Sequence, residues 1–571
     1  MHKKQILAAL LCFLWSQLSQ AQIQLKADAA KQALDTNLGS VVSGTVADET
    51  TVRFLQDNFD VWLARSQPNG TGLVDIWVDA DQQRLLNSYG FNFARNESLS
   101  ATLAQLQQRA SPGVNAIAGF PCYRTVEETQ ATLEQLVQRY PNMARTVDIG
   151  DSYLKSVGQG GYPIKALIID NSAIPAPVGS TKPTLLMISA IHAREYATAE
   201  IATRFAERLL SGYGIDPELT HLLDSRRVII VPQMNPDGRK RAEAGVLQRR
   251  NLRPATCTTP ANSGVDLNRN STFLWGTNNG SSTNGCADTF RGAAAASEPE
   301  VQSIEQFLAT NFPDRRGPLD TDTAPSDTEG VFISLHSYAD LVLFPWGANA
   351  GAAPNKLGLQ TLARKFGFYT NYEVCQPPAL GCLYAASGTT DDHAYGTLGL
   401  ASFTFEVGNN GFFESCSTFD ASTVSKNIDA LIFALKAARR PYLEPAGPEV
   451  TELTAFNNVV ENDFEITVTA KASDIRTFSG GQGNEDTHSV VRAAMYINTS
   501  PEAVGATAFQ MDAIDGNFNS ATEAVTVRVP AILLQPGRNV VYVTATDSAN
   551  QTGVVSSTFV RSAGTFVSGF E

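Results

Sequence analysis

Between about Pro121 and Arg440, short unbroken apolar runs alternate with longer stretches of helical periodicity, and this rhythm constrains the fold more than any other feature. The runs are LLMISAI (185–191), VIIV (228–231), VFISL (331–335) and FTFEV (403–407). Runs of this length, bounded by turn residues, fit strands buried on both faces of a sheet rather than strands with one wet face. The section therefore reads as an α/β domain: a mostly parallel mixed sheet flanked by helices such as Tyr196–Leu210.

A chain of 571 residues exceeds one ordinary core, so two to four domains are expected. Residues 1–21 combine a basic start, an apolar run from Ile6 to Trp15 and a polar stretch ending at Ala21, the layout of a cleavable export signal. The run is too short for a permanent anchor, and no later segment supplies the roughly 20 apolar residues of a membrane-spanning helix. The expectation is a secreted or periplasmic protein without a membrane anchor. Residues 22–118 hold helical patterns at Thr51–Phe59 and Asp79–Tyr89 and strand patterns at Leu73–Val78 and FNFAR, a small α+β unit. The Gly- and Pro-containing stretch 109–119 suits an exposed, cleavable linker. The α/β section is taken as 119–442. Residues 447–562 alternate in the β pattern, with FEITVTA (464–470), AVTVRV (524–529) and NVVYVTATD (539–547), so an immunoglobulin-like sandwich is expected there. The loop GGQGNED (480–486) reads as solvated, and residues 563–571 as a tail.

Cys12 lies inside the export signal, which leaves Cys122, Cys257, Cys286, Cys375, Cys382 and Cys416. An even number in an exported chain favours disulfides, and proximity suggests Cys257–Cys286 and Cys375–Cys382. With 43 Lys+Arg against 57 Asp+Glu the net charge is −14, which argues against nucleic acid or an anionic membrane surface as partner. An anionic substrate group must then be caught by local arginines.

Reactive side chains fall where those strands end. His192 follows LLMISAI, Asn235 and Asp237 follow VIIVPQM, His336 follows VFISL, and Glu406 closes FTF. Open α/β sheets build their crevice at that edge. His192 and Glu195 form H-x-x-E, which puts an imidazole and a carboxylate within reach of one cation; completed by a distant histidine, this is the ligand set of a catalytic zinc. Taken alone, H-x-x-E is a weak signal that a solvated helix start explains better. Only five histidines exist outside the signal, however, and two of them directly follow buried strands.

The blocks HAREY (192–196), NPDG (235–238), RNLR (250–253), VDLNRN (265–270), FRGAAAASEPE (290–300), LHSYADLVLFPWG (335–347), LYAASGTTDD (383–392) and FTFEVGNNGF (403–412) resemble the M14 zinc carboxypeptidases of the carboxypeptidase A/B type, in the family's order. The resemblance implies a monomeric hydrolase that removes C-terminal residues from peptides or proteins and holds one Zn2+ through His192, Glu195 and His336. It implies that Glu406 is the general base and Asp266 the residue orienting His192. The substrate carboxylate falls to Asn268, Arg269 and Tyr384, a further subsite to Arg194, and the oxyanion to Arg253, with Arg249 and Arg250 close by. Asp391 occupies the place of the family's specificity residue, where an acidic group selects C-terminal Lys or Arg; the competing reading is a carboxylate bonded to local backbone. The segments FDVW (59–62) and VDIWV (74–78) resemble the family's inhibitory pro-domain. Two alternatives compete with this reading: a relative cleaving cell-wall peptides, and a peptide-binding module that has lost catalysis.

Overall fold

The computed structural model describes residues 39–562 apart from 106–115, 177–180, 256, 258–262, 350 and 461–462. The expected export signal, most of the linker and the tail lie outside the described residues.

Residues 40–105 form a four-stranded antiparallel sheet in the order Asp60–Ser66, Gly72–Val78, Ser40–Val46, Ala94–Arg95, with helices Glu49–Asn58 and Ala80–Ser88 on one face. Each of these two helices begins at an aspartate, which satisfies backbone N–H groups left open by helix geometry: Asp48 accepts from Thr51, and Asp79 forms a capping box with Gln82. Val42, Val74 and Ile76 close a small core against Val52, Leu55 and Leu86.

The middle section is an eight-stranded mixed sheet, in the order Glu373–Cys375, Leu341–Leu343, Ala401–Glu406, Val331–His336, Thr184–Ile188, Arg227–Val231, Pro163–Ile169, Ala144–Asp151. The central four strands are mutually parallel. Their side chains alternate between two cores: Leu185 and Met187 pack toward the helices Val126–Arg139, Tyr196–Gly212, Lys356–Thr370 and Val424–Ala437, while Leu186 and Ile188 pack toward Pro299–Asn311 and Thr390–Leu398. Burial on both faces accounts for the unbroken apolar runs. Disulfides join Cys257 to Cys286 and Cys375 to Cys382, as proximity suggested, and the remaining bridge, Cys122–Cys416, ties the start of this section to its last helical stretch.

Residues 449–562 form seven antiparallel strands around one core of Val450, Ile466, Val468, Met495, Val525, Val541 and Val543. The strand Phe509–Ala513 pairs with both Val490–Ile497 and Thr522–Pro530 and so links the two halves of this layer. No described helix is long and apolar enough to cross a membrane.

Candidate active site

His192 sits just past the strand Thr184–Ile188, where Ala190 turns the chain with a φ of 50°. Three residues on, Glu195 stands at the N-terminal boundary of the helix Tyr196–Gly212. His336 ends the strand Val331–His336, and the parallel register pairs it directly with Glu406 on the neighbouring strand. Three strand ends and one helix start thus meet at a single rim.

The two imidazoles face each other through Nδ1 atoms 3.0 Å apart. Glu195 lies 2.8 Å from His192 Nδ1 and 3.3 Å from His336 Nδ1, and all three side chains are buried. Donor atoms of the three residues lie within 4.8 Å of one another, and this is the only such group among the described residues. Asp266 fits the same purpose: its carboxylate is 3.0 Å from His192 Nε2, so it accepts the proton there and leaves the Nδ1 lone pair aimed inward. Although burial opposes it, the Arg249 guanidinium and His192 hold Asp266 well below the usual carboxylate range. Two imidazoles and one carboxylate with converging lone pairs suit zinc.

Beside the triad, a cavity is lined by Asn268, Arg269, Arg249, Tyr384, Asp391 and Glu406, among others. Arg269 spends Nη1 on the Asn268 carbonyl, but its Nε is buried and has no hydrogen-bond partner among the described residues. The Arg269 side chain lines the cavity, and a planar guanidinium there matches a carboxylate. Burial and the Glu195 charge push the Glu406 carboxyl above its ordinary value, against the cations His336, Arg249 and Arg269.

A model of the zinc carboxypeptidase family, Peptidase_M14, matches residues 129–425. Mouse carboxypeptidase A2 is 30% identical over 380 residues, covering 62% of this chain and 80% of its own length. Bovine carboxypeptidase B is 26% identical over 382 residues, 64% of this chain and 84% of its own. The chain belongs to the zinc carboxypeptidase family. Two solved structures share the fold: thrombin activatable fibrinolysis inhibitor, 22% identical with a TM-score of 0.54 over 70% of this chain and 98% of that one, and a carboxypeptidase A from Helicoverpa armigera, 23% identical with a TM-score of 0.55 over 71% and 98%. The family, the carboxypeptidase fold, the zinc and the hydrolase class implied by the sequence blocks all stand.

Within this zinc carboxypeptidase, not every expected residue reaches the cavity. Arg253 does not. Its Nε donates to Glu298 at 2.8 Å, its Nη2 donates to the Ser297 carbonyl at 3.0 Å, and its guanidinium lies over the Tyr153 ring. Arg250 is buried and spends Nη1 on the carbonyls of Gly285 and Ala287. It is Arg249 that faces inward, gripping Asp266 through Nε and Nη2 at 3.1 and 2.9 Å, with Nη1 3.9 Å from Glu195. Asp391 and Asp392 divide the two readings of T-D-D. Asp392 accepts backbone N–H groups from Gly347 and Ala348, whereas Asp391 lines the cavity.

The N-terminal domain fills much of this zinc carboxypeptidase's cavity, which residue types and spacings did not reveal. Trp62, Leu63 and Ala64 roof it, leaving a volume of about 140 Å³. That is below the range of roughly 300–1,000 Å³ that small-molecule pockets offer. Asp60 takes both of its oxygens to Arg194 Nη1, at 2.8 and 2.9 Å, and Asp75 accepts from the Tyr338 hydroxyl at 3.0 Å. Tyr384 packs into the N-terminal domain's own core, its buried hydroxyl pointing at the backbone of Gly72. Asp60 and Asp75 belong to the segments FDVW and VDIWV that carried the pro-domain resemblance, so the signal was present; their partners were not.

Proposed function

We propose that this zinc carboxypeptidase is exported, is held inactive by residues 39–105, and after cleavage within 109–119 removes C-terminal residues, with preference for Lys and Arg. The observation that carries the reading is the placement of Arg269 and Asn268 in one cavity with the metal-binding triad. A group that must find a carboxylate next to the cleavage centre selects chain ends over internal bonds.

Zinc, when held by His192, Glu195 and His336, polarises the scissile carbonyl and acidifies water. The chain's own residues do the rest. Arg269 and Asn268 fix the terminal carboxylate, and Tyr384, once freed from the N-terminal domain, covers it. Glu406, paired directly with His336 on the neighbouring strand, takes a proton from the attacking water and returns it to the leaving amine. Arg249 faces the oxyanion, held in place by Asp266. Asp391 lines the cavity within the field of Arg269, and no hydrogen bond to its carboxylate is found among the described residues, so a cationic substrate side chain supplies the direct partner it lacks. Six cysteines paired in three disulfides support an oxidising compartment.

The test uses full-length protein cleaved in the linker. Zinc content is measured together with release of Lys, Arg, Phe and Leu from blocked dipeptides. Glu406→Gln is expected to keep zinc and lose at least about 100-fold in kcat; turnover equal to the parent's would remove Glu406 from the mechanism. Asp391→Ser is expected to erase the preference for basic ends while leaving other residues cleaved. Equal release of basic and aromatic ends by the parent would refute the selectivity alone.

A further inference from the structure

The strand Glu373–Cys375 is the open edge of the catalytic sheet, and edges of this kind need covering. Here the cover comes from the C-terminal domain, through the segment joining its strands Asp463–Ser473 and Val490–Ile497. Gln482 N–H donates to the Val374 carbonyl at 2.7 Å, and Gln482 Oε1 accepts the Gln376 N–H at 3.1 Å. Gly481 comes so close that a Cβ there would stand 2.2 Å from the Val374 oxygen. Arg364 gathers the same segment from below, donating to the carbonyls of Gln482 and Gly483 at 3.2 and 2.8 Å. The loop expected to be solvated does keep Gly481, Gly483, Asn484 and Asp486 exposed, and it docks on the sheet edge through Gln482 and its backbone.

The stretch that begins at Gln376 borders the substrate cavity. Pro377, Leu383 and Tyr384 line it, and the Gln376 side chain donates to the Gly351 carbonyl at 2.8 Å, just beyond the cavity residue Gly347. This stretch is tied on its other side by the N-terminal domain: Arg65 Nε donates to the Gly381 carbonyl, the Ser66 hydroxyl donates to the Ala379 carbonyl, and Arg65 pairs with Glu373. If the N-terminal domain leaves on activation, those ties go with it. The Cys375–Cys382 bridge and Gln482 remain.

We infer that the C-terminal domain positions the substrate cavity of the active enzyme, with Gln482 as the positioning residue that holds residues 376–384, through its bond to Gln376, in the place where Tyr384 and the cavity wall meet a peptide's C-terminus. The inference rests on the reading of this cavity as the substrate site.

The test is run on linker-cleaved full-length protein with whichever blocked dipeptide the parent cleaves best, so a wrong guess about basic selectivity does not obscure it. Gln482→Ala is expected to raise KM about five- to tenfold, as loss of one partly buried hydrogen bond does, with kcat, zinc content and melting temperature close to the parent's. Gln482→Glu, which keeps the acceptor, is expected to restore KM. An unchanged KM in Gln482→Ala overturns the inference, as does a fall in kcat, zinc and melting temperature together, which marks a general structural role. Should Gln482→Ala fail to fold, hydrogen exchange in the parent decides: the Gln376 amide is expected to stay protected after the N-terminal domain is removed, and free exchange there overturns the assignment. An inactive parent would instead refute the proposed function.

Discussion

The two accessory domains grip the catalytic domain through buried ions, but the charges balance differently. At the N-terminal interface one cation serves two carboxylates: Arg194, only 1% exposed, is bonded by Asp60 from the accessory domain and by Asp288 from the catalytic domain. Burial and the neighbouring Asp288 raise Asp60 above its ordinary value, so the pair holds a proton when the domain is seated. At the C-terminal interface each bonded carboxylate has its own cation, although burial and Glu502 raise the nearby Glu444 to about 7. Arg226 and Glu502 pair bidentately, and despite burial Arg226 holds Glu502 down to about 2. Glu449 is shared by Lys365, Tyr369 and Arg476. An interface whose bonded carboxylates compete for one cation is easier to let go than one whose bonded carboxylates each have their own. The placement agrees: the first covers the cavity, and the second covers a sheet edge.

The largest effect is expected where a satisfied pair is broken. Arg226→Met leaves Glu502 buried beside His221 and Arg439 with no direct partner, at a cost of about 3–5 kcal/mol. Thermal unfolding of the full chain should show this as a lowered melting temperature, with zinc binding kept; an unchanged transition would mean that this interface is as loose as the other.

Next comes pH, which should act on the two interfaces in opposite directions. Asp60 is raised on docking, so between the ordinary carboxylate range and the raised value docking takes up a proton and weakens as pH rises. The groups facing it are Arg194, Asp288, Arg250 and Tyr338. Glu502 is lowered, so its contribution is present above the ordinary glutamate value and is lost as pH falls toward 2. In linker-cleaved protein, inhibition by the still-bound N-terminal domain should relax from neutral to mildly alkaline pH. Asp60→Asn, which keeps an acceptor for Arg194 and gains a donor for Asp288, should make that inhibition independent of pH. A pH-dependence that survives in Asp60→Asn would place the titrating group elsewhere.

The smallest effect concerns Tyr384. A Cβ on Gly72 would stand 2.4 Å from the Tyr384 hydroxyl and 2.8 Å from Val52, and the tyrosine is the part free to yield. Gly72→Ala should cost about 1–3 kcal/mol of N-terminal docking, as overpacking does, read as weaker inhibition by the domain left bound in the cleaved protein. Equal inhibition would show that Tyr384 does not plug that core.

The features legible in the sequence are those that leave a local signal. The central strands are buried on both faces, so their identity is written into unbroken apolar runs, and His192, His336 and Glu406 are legible because they directly follow or close those runs. Arg253 was misplaced because three arginines fall within residues 249–253, in a loop without periodicity. What separates them is not local. Asp266 draws Arg249 inward, Glu298 holds Arg253, and backbone carbonyls near residue 286 hold Arg250. The docking role of residues 480–486 was hidden for a related reason, since backbone carbonyls and glycines carry no compositional mark of what they touch.

By itself the sequence determined the fold class and strands, through periodicity, and the metal-binding triad and family, through blocks such as HAREY and VDLNRN that resemble the zinc carboxypeptidases. Only the tertiary structure decided which arginine faces the cavity, that Asp392 rather than Asp391 is tied to backbone, and that the N-terminal domain lies over the cavity while the C-terminal domain covers a sheet edge. Those are outcomes of which distant charges and open backbone groups come to lie side by side, and chain order does not encode them locally.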